Sequence, residues 1–142
     1  MKIDHIGIAV RDIQEALKVY QEALGLQLGE IVEVLDQKVE VAFLPVGETN
    51  LELVQPTADD TGVAKFLESR GEGIHHICLE VDNIEAALER LKVHGVPLID
   101  KAPRQGAHGR VAFVHPKGMH GVLLELVEHR TGTAAVLRNQ LA

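Results

Sequence analysis

Leu51-Glu52-Leu53-Val54 recurs letter for letter as Leu124-Glu125-Leu126-Val127, 73 residues later. Each copy closes a run that opened with a histidine: Ile3-Asp4-His5-Ile6 before the first, Ile74-His75-His76-Ile77 before the second. His5 and His76 stand 71 residues apart, so both residue types return at nearly the same offset in a chain of 142 residues. That register implies one structural unit used twice. In an extended strand alternate side chains share a face. His5 then lies with Gly7 and Ala9, and Glu52 with Asn50 and Val54, while Ile6, Ile8, Leu51 and Leu53 form the opposite, apolar faces. A solvated glutamate has no reason to recur in register with a histidine. We therefore read His5, Glu52, His76 and Glu125 as meeting at one divalent metal ion.

The sequence between these points supports the duplication. After the first strand (3–10), Asp12 offers an N-cap with Glu15 three residues on, and Ile13, Ala16, Leu17, Tyr20 and Leu24 follow at helical spacing up to Gly25. Strands are expected at 26–35, 37–46 and Leu51–Val54, the last ended by Pro56, which completes a β-α-β-β-β unit. At the 71-residue offset Val10 meets Val81, Asp12 meets Asn83, Ile13 meets Ile84 and Leu17 meets Leu88. The second unit thus predicts a strand at 76–81, a helix over 84–94, and strands at 96–100, 110–115 and 121–128. The expected organisation is a single α+β domain: a first module over about 1–56, a linker helix over about 57–72, a second module over about 73–129 and a tail at 130–142 with room for a helical turn. Two sheets packing face to face, curled into a cupped, barrel-like mixed sheet with the helices outside, would place the four ligands in one cavity.

Composition narrows the function classes. Apolar residues make up 46% and charged residues 25%, ordinary for a chain with a packed interior. A net charge of −7 argues against a nucleic-acid partner, which needs a basic footprint. No apolar run approaches the ~18 residues of a membrane span, and no signal peptide is visible at the N-terminus. One cysteine, Cys78, excludes an intrachain disulfide and fits a reducing, cytoplasmic setting.

Two imidazoles and two carboxylates suit cobalt, zinc, nickel or manganese. In octahedral geometry four protein ligands leave two positions for substrate oxygens, where the metal acts as a Lewis acid. Glu40 shares a face of its strand with Lys38 and Ala42. It reads either as an exposed edge-strand residue or as a general base buried in the cavity. His75 is expected to point away from His76, and His94 and His129 to lie on the surface. His108 and His120, in glycine-rich loops, are candidates for the cavity rim. Arg110 and Lys117 are candidates for an anionic substrate group, with solvation as the default.

Beyond the duplicated strands, Gly73-Ile74-His75-His76-Ile77-Cys78-Leu79-Glu80-Val81-Asp82-Asn83, Gly106-Ala107-His108-Gly109 and His115-Pro116-Lys117 resemble the methylmalonyl-CoA epimerases of the vicinal-oxygen-chelate superfamily. The likeness runs over residues 3–127. It implies interconversion of (R)- and (S)-methylmalonyl-CoA through a metal-stabilised enolate, with cobalt the first choice of metal and a homodimer the expected assembly. By position the family's metal ligands fall on His5, Glu52, His76 and Glu125, and its two acid–base carboxylates on Glu40 and Glu125. Some members carry glutamine where this chain has Glu52; the extra charge is expected to weaken the metal's Lewis acidity.

Three other readings share the fold. Glyoxalase I uses a comparable four-ligand site on a glutathione hemithioacetal, but the His-Pro-Lys loop and the linker favour the epimerase. An extradiol dioxygenase needs only two histidines and one carboxylate, so a fourth ligand at Glu52 argues against it. A drug-binding resistance protein would use aromatic walls, and aromatic residues are only 3% here.

Overall fold

The structure, a computed structural model, describes residues 1–129. The helical turn expected in 130–142 lies outside the described residues. Among the described residues there are eight strands: β1 (Lys2–Ala9), β2 (Ile31–Val34), β3 (Val39–Val46), β4 (Thr49–Pro56), β5 (Gly73–Glu80), β6 (Arg104–Gln105), β7 (Gly109–Val114) and β8 (Leu124–His129). The helices are α1 (Ile13–Leu17), α2 (Gly62–Arg70) and α3 (Ile84–Val93). The helix expected from Ile13 to Leu24 changes character at Lys18, where a π-helical stretch continues to Ala23.

The face-to-face pair of sheets is corrected to one continuous sheet. Its order is β2-β3-β4-β1-β5-β8-β7-β6, with β1 and β5 antiparallel neighbours at the centre. β1 pairs parallel with β4, and β5 parallel with β8, so each half closes on its own opening strand. The sheet curls until its two edges meet. Arg104 on β6 reaches Asp36 beyond β2 at 3.5 Å, and His108 after β6 reaches Glu30 before β2 at 2.6 Å. The result is the expected cupped, mixed α+β half-barrel.

The convex face packs against α1 and α3. Ile13 and Leu17 bury against Ala42, Leu44 and Leu53, while Ile84 and Leu88 bury against Ala112, Leu124 and Leu126. The strand expected at 96–100 does not form. Pro97 lacks a backbone donor, and this stretch makes only an isolated bridge, Leu98 to Val114. The strand expected over 26–35 shortens to its last residues, Ile31–Val34.

The duplication extends to the helix starts. Gln55 Oε1 accepts from the Ile13 N–H at 2.9 Å, and Glu128 Oε2 accepts from the Ile84 N–H at 2.8 Å. In each half the end of the closing strand satisfies a free N–H of the helix's first turn, beside the Asp12 and Asn83 caps. Glu128→Ala should destabilise the fold by about 1–2 kcal/mol in urea unfolding. The Ile84 N–H, and then Arg110, hold the Glu128 carboxyl below its ordinary range. A depressed folded-state pKa means that this contribution is complete above the unfolded carboxylate value and is lost as pH falls through the folded value. The difference between the parent and Glu128→Ala should therefore shrink in acid.

Candidate metal centre

The floor of the cup is made by the inward residues of the central strands. His5, His76, Glu52 and Glu125 are all buried, at 5–7% exposure. His5 Nε2 lies 3.0 Å from His76 Nε2 and 3.0 Å from Glu125 Oε1, and His76 Nε2 lies 3.1 Å from Glu125 Oε1. Three donor atoms thus form a nearly equilateral triangle. Donors about 2.1 Å from an ion and about 90° apart around it are about 3.0 Å from one another, the edge of one octahedral face. The donor set and its spacing fit a divalent cation.

Glu52 joins the cluster differently. Its Oε2 lies 2.9 Å from His5 Nδ1, not in the triangle. Asp4 occupies the same nitrogen, with Oδ2 at 2.6 Å. A carboxylate on the far nitrogen of a ligating histidine fixes its ring and tautomer and raises its basicity. Alternation along β1 puts Asp4 on the other face from His5. The register of β1 against β5 slips between Ile3 and His5, and this bulge leaves Asp4 buried beside the histidine.

A second slip, between Gly7 and Ile8, leaves His75 without a partner on β1. This corrects the expectation that His75 points away. It lines the cavity, its Nδ1 lies 3.0 Å from His76 Nδ1, and its ring meets Phe66 edge-on. Burial, and then the charge of His76, lower the His75 pKa to about 4. His129 is also corrected from surface to site: its Nε2 lies 2.6 Å from Asp4 Oδ1, so Asp4 bridges two histidines. Cys78 is fully buried beside His5. Burial, and then the Glu125 charge, push its thiol up to about 12.

Burial alone would raise the Glu125 carboxyl; hydrogen bonds from His5 and His76 outweigh it and hold the group well below the carboxylate range. Burial likewise opposes charge on His5, but Glu52 and the other groups around it hold its pKa well above the usual value. The Glu125 shift reports the two histidines beside it, and the His5 shift the negative groups around it.

Glu40 requires the largest correction. Val39, Val41 and Phe43 line the cavity, so the pleat turns Glu40, Ala42 and Leu44 to the convex side, where Ala42 and Leu44 pack under α1. Glu40 is not on the cavity wall and carries no base there. The alternation showed two faces but not which one was concave. Of the loop residues, His108 lines the cavity and His120 does not. Arg110 is held by Glu85 and Glu128.

The cavity encloses about 850 Å³ including its open mouth. Above the polar floor its walls are apolar: Val39, Val41 and Phe43 on one side, Val111, Phe113 and Val127 on the other. The profile of the Glyoxalase/Bleomycin resistance protein/Dioxygenase superfamily matches residues 4–113. The mitochondrial methylmalonyl-CoA epimerase of Homo sapiens is 41% identical over 88% of this chain and 72% of its own. The ethylmalonyl-CoA/methylmalonyl-CoA epimerase of Cereibacter sphaeroides is 40% identical over 88% of this chain and 96% of its own. This chain belongs to the methylmalonyl-CoA epimerase family. A solved epimerase in complex with methylmalonyl-CoA and NH4+ superposes with a TM-score of 0.87 at 34% identity, covering 92% of this chain and 95% of that one. The epimerase likeness therefore extends over both halves of the cup.

Proposed function

We propose that this protein is a metal-dependent epimerase of methylmalonyl-CoA. The observation that carries the reading is the triangle of His5 Nε2, His76 Nε2 and Glu125 Oε1 on the floor of an apolar cup, in a chain about 40% identical to named epimerases. We assign Glu52 as the fourth donor, turning its carboxylate away from the His5 nitrogen that Asp4 already holds. Cobalt is the first choice of metal, and a homodimer the expected assembly.

The reacting carbon stands between a thioester carbonyl and a carboxylate, so its proton is already acidified. When bound, the metal supplies Lewis-acid stabilisation for negative charge developing on the substrate oxygen. Glu125 takes the proton from one face of C2. The apolar walls exclude water, which strengthens the electrostatic interactions on the floor. His5, fixed by Asp4, keeps the cage from relaxing as charge moves.

Incubation of metal-loaded protein with either diastereomer in deuterated water should give stereoinversion together with deuterium at C2. Chelation should stop both, and cobalt should restore them. Loaded protein that neither exchanges nor inverts methylmalonyl-CoA, yet turns over a glutathione hemithioacetal, would sink the reading.

A further inference from the structure

Inversion needs a proton delivered to the face of C2 opposite the one from which a proton leaves. With Glu40 on the convex side, the wall facing Glu125 has no carboxylate from β3. The remaining ionisable groups on the cavity wall can be sorted by their contacts. His5, Glu52, His76 and Glu125 form the floor, and Asp4 and His129 form the layer behind His5. His75 lies against His76 and Phe66. His108 remains, and its surroundings differ from all of these.

His108 sits in the loop from Gly106 to Gly109, between β6 and β7. The loop is closed by Gly106 N–H donating to Gly109 O at 2.8 Å. Glycine is required at both ends. A Cβ on Gly106 would lie 2.7 Å from Val111 Cγ1, and one on Gly109 would lie 2.9 Å from His129 Cα. The loop is thus pressed onto β7 and β8 and presents its histidine rigidly. The His108 ring packs on Phe43, with centroids 5.0 Å apart, and its Nε2 lies 2.6 Å from Glu30 Oε1. That contact is too bent for a good hydrogen bond, yet both atoms are shielded from solvent and neither has another partner among the described residues. Glu30 and Phe43 belong to the first half and Glu125 to β8 of the second. His108 therefore stands on the seam where the sheet edges meet, across the cup from the floor.

We propose that His108, held by Glu30 and Phe43, is the proton-transfer group for the face of C2 opposite Glu125. The inference rests on the epimerase reading. For one diastereomer the C2–H bond breaks toward Glu125, its electron pair stays on the substrate as the enolate, and the Glu125 carboxylate becomes the acid. The His108 imidazolium then gives its proton to the other face of C2 and becomes neutral imidazole. The other diastereomer runs the same steps in reverse, and solvent returns both groups to their starting states. Glu30 is a positioning residue that keeps the ring and its charge in place.

His108→Gln separates exchange from inversion. In deuterated water the variant should still exchange the C2 proton of the diastereomer that presents it to Glu125, with retention of configuration. It should leave the other diastereomer unlabelled, and inversion should fall by ~10²–10⁴-fold. Glu30→Gln should slow inversion by a smaller factor with the same one-sided exchange. Metal content of both variants should match the parent, since neither residue touches the donor triangle. Inversion by His108→Gln near the parental rate would overturn the proposal, as would equal loss of exchange from both diastereomers in a folded, metal-replete variant. Failure of the unaltered protein to exchange either diastereomer would instead overturn the epimerase reading.

Discussion

Glu125→Gln is expected to be the most damaging substitution in the cavity, with inversion of methylmalonyl-CoA reduced by roughly 10⁴-fold, the upper end for loss of a general base. Glu125 is asked to do two things at once. Its Oε1 forms one corner of the donor triangle, at 3.0 and 3.1 Å from the two histidine nitrogens. The same carboxylate is the proton acceptor for one face of the reacting carbon. Glutamine keeps the shape but removes the charge, and an amide is no base. Its NH2 group also competes for the position facing His5 and His76, where a donor opposes a cation. Metal affinity should fall by at least the ~10–100-fold seen when a partner of a metal ligand is lost. The two roles can be separated at saturating cobalt. If the variant regains its metal but not deuterium exchange from the Glu125 side, the acid–base assignment stands. If the reloaded variant exchanges from that side at the parental rate, Glu125 is a ligand only and the base lies elsewhere.

The sequence carried the floor of this cavity because the floor is duplicated. His5 and His76, Glu52 and Glu125 are legible through their common offset, and strand alternation places them on one face without knowledge of the curl. The caps at Asp12 and Asn83 follow from the same register. What the sequence hid is what breaks period two. Asp4 and His75 adjoin the histidines on bulges, and a bulge is a pairing between strands that no local pattern announces. Only the Asp-His and His-His doublets marked those places. Glu40 was misplaced for a related reason. Both faces of β3 are buried, one under α1 and one in the cup, so burial does not tell concave from convex. His108 was visible as a loop histidine, but its partners Glu30 and Phe43 are distant in sequence and meet it only when the sheet edges close.

Gly7→Ala should disable the centre without replacing a single donor residue. Gly7 faces His76 across the β1–β5 pair, and the His76 ring lies over the space a side chain would fill. A Cβ at Gly7 would stand 2.5 Å from His76 Nδ1 and 2.6 Å from Nε2. The backbone has little freedom to relieve this, because β1 and β5 are the central strands of an eight-stranded sheet, each paired on both sides. The ring must therefore move. Doing so breaks its contact with Glu125 and its edge-on packing against His5 and Phe113. Overpacking of this kind costs about 1–3 kcal/mol, and the moved ring removes one corner of the triangle. The expected result is a lowered melting temperature, a drop in cobalt affinity of more than ~100-fold and a changed visible spectrum for whatever cobalt still binds. Gly62→Ala is the matched control. Its Cβ would meet nothing within 4 Å at the start of α2, so stability should hold or rise slightly and cobalt binding should be unchanged. A Gly7→Ala protein that binds cobalt with parental affinity and spectrum would show that His76 is not a ligand, because no ring position compatible with that Cβ keeps Nε2 where the triangle needs it.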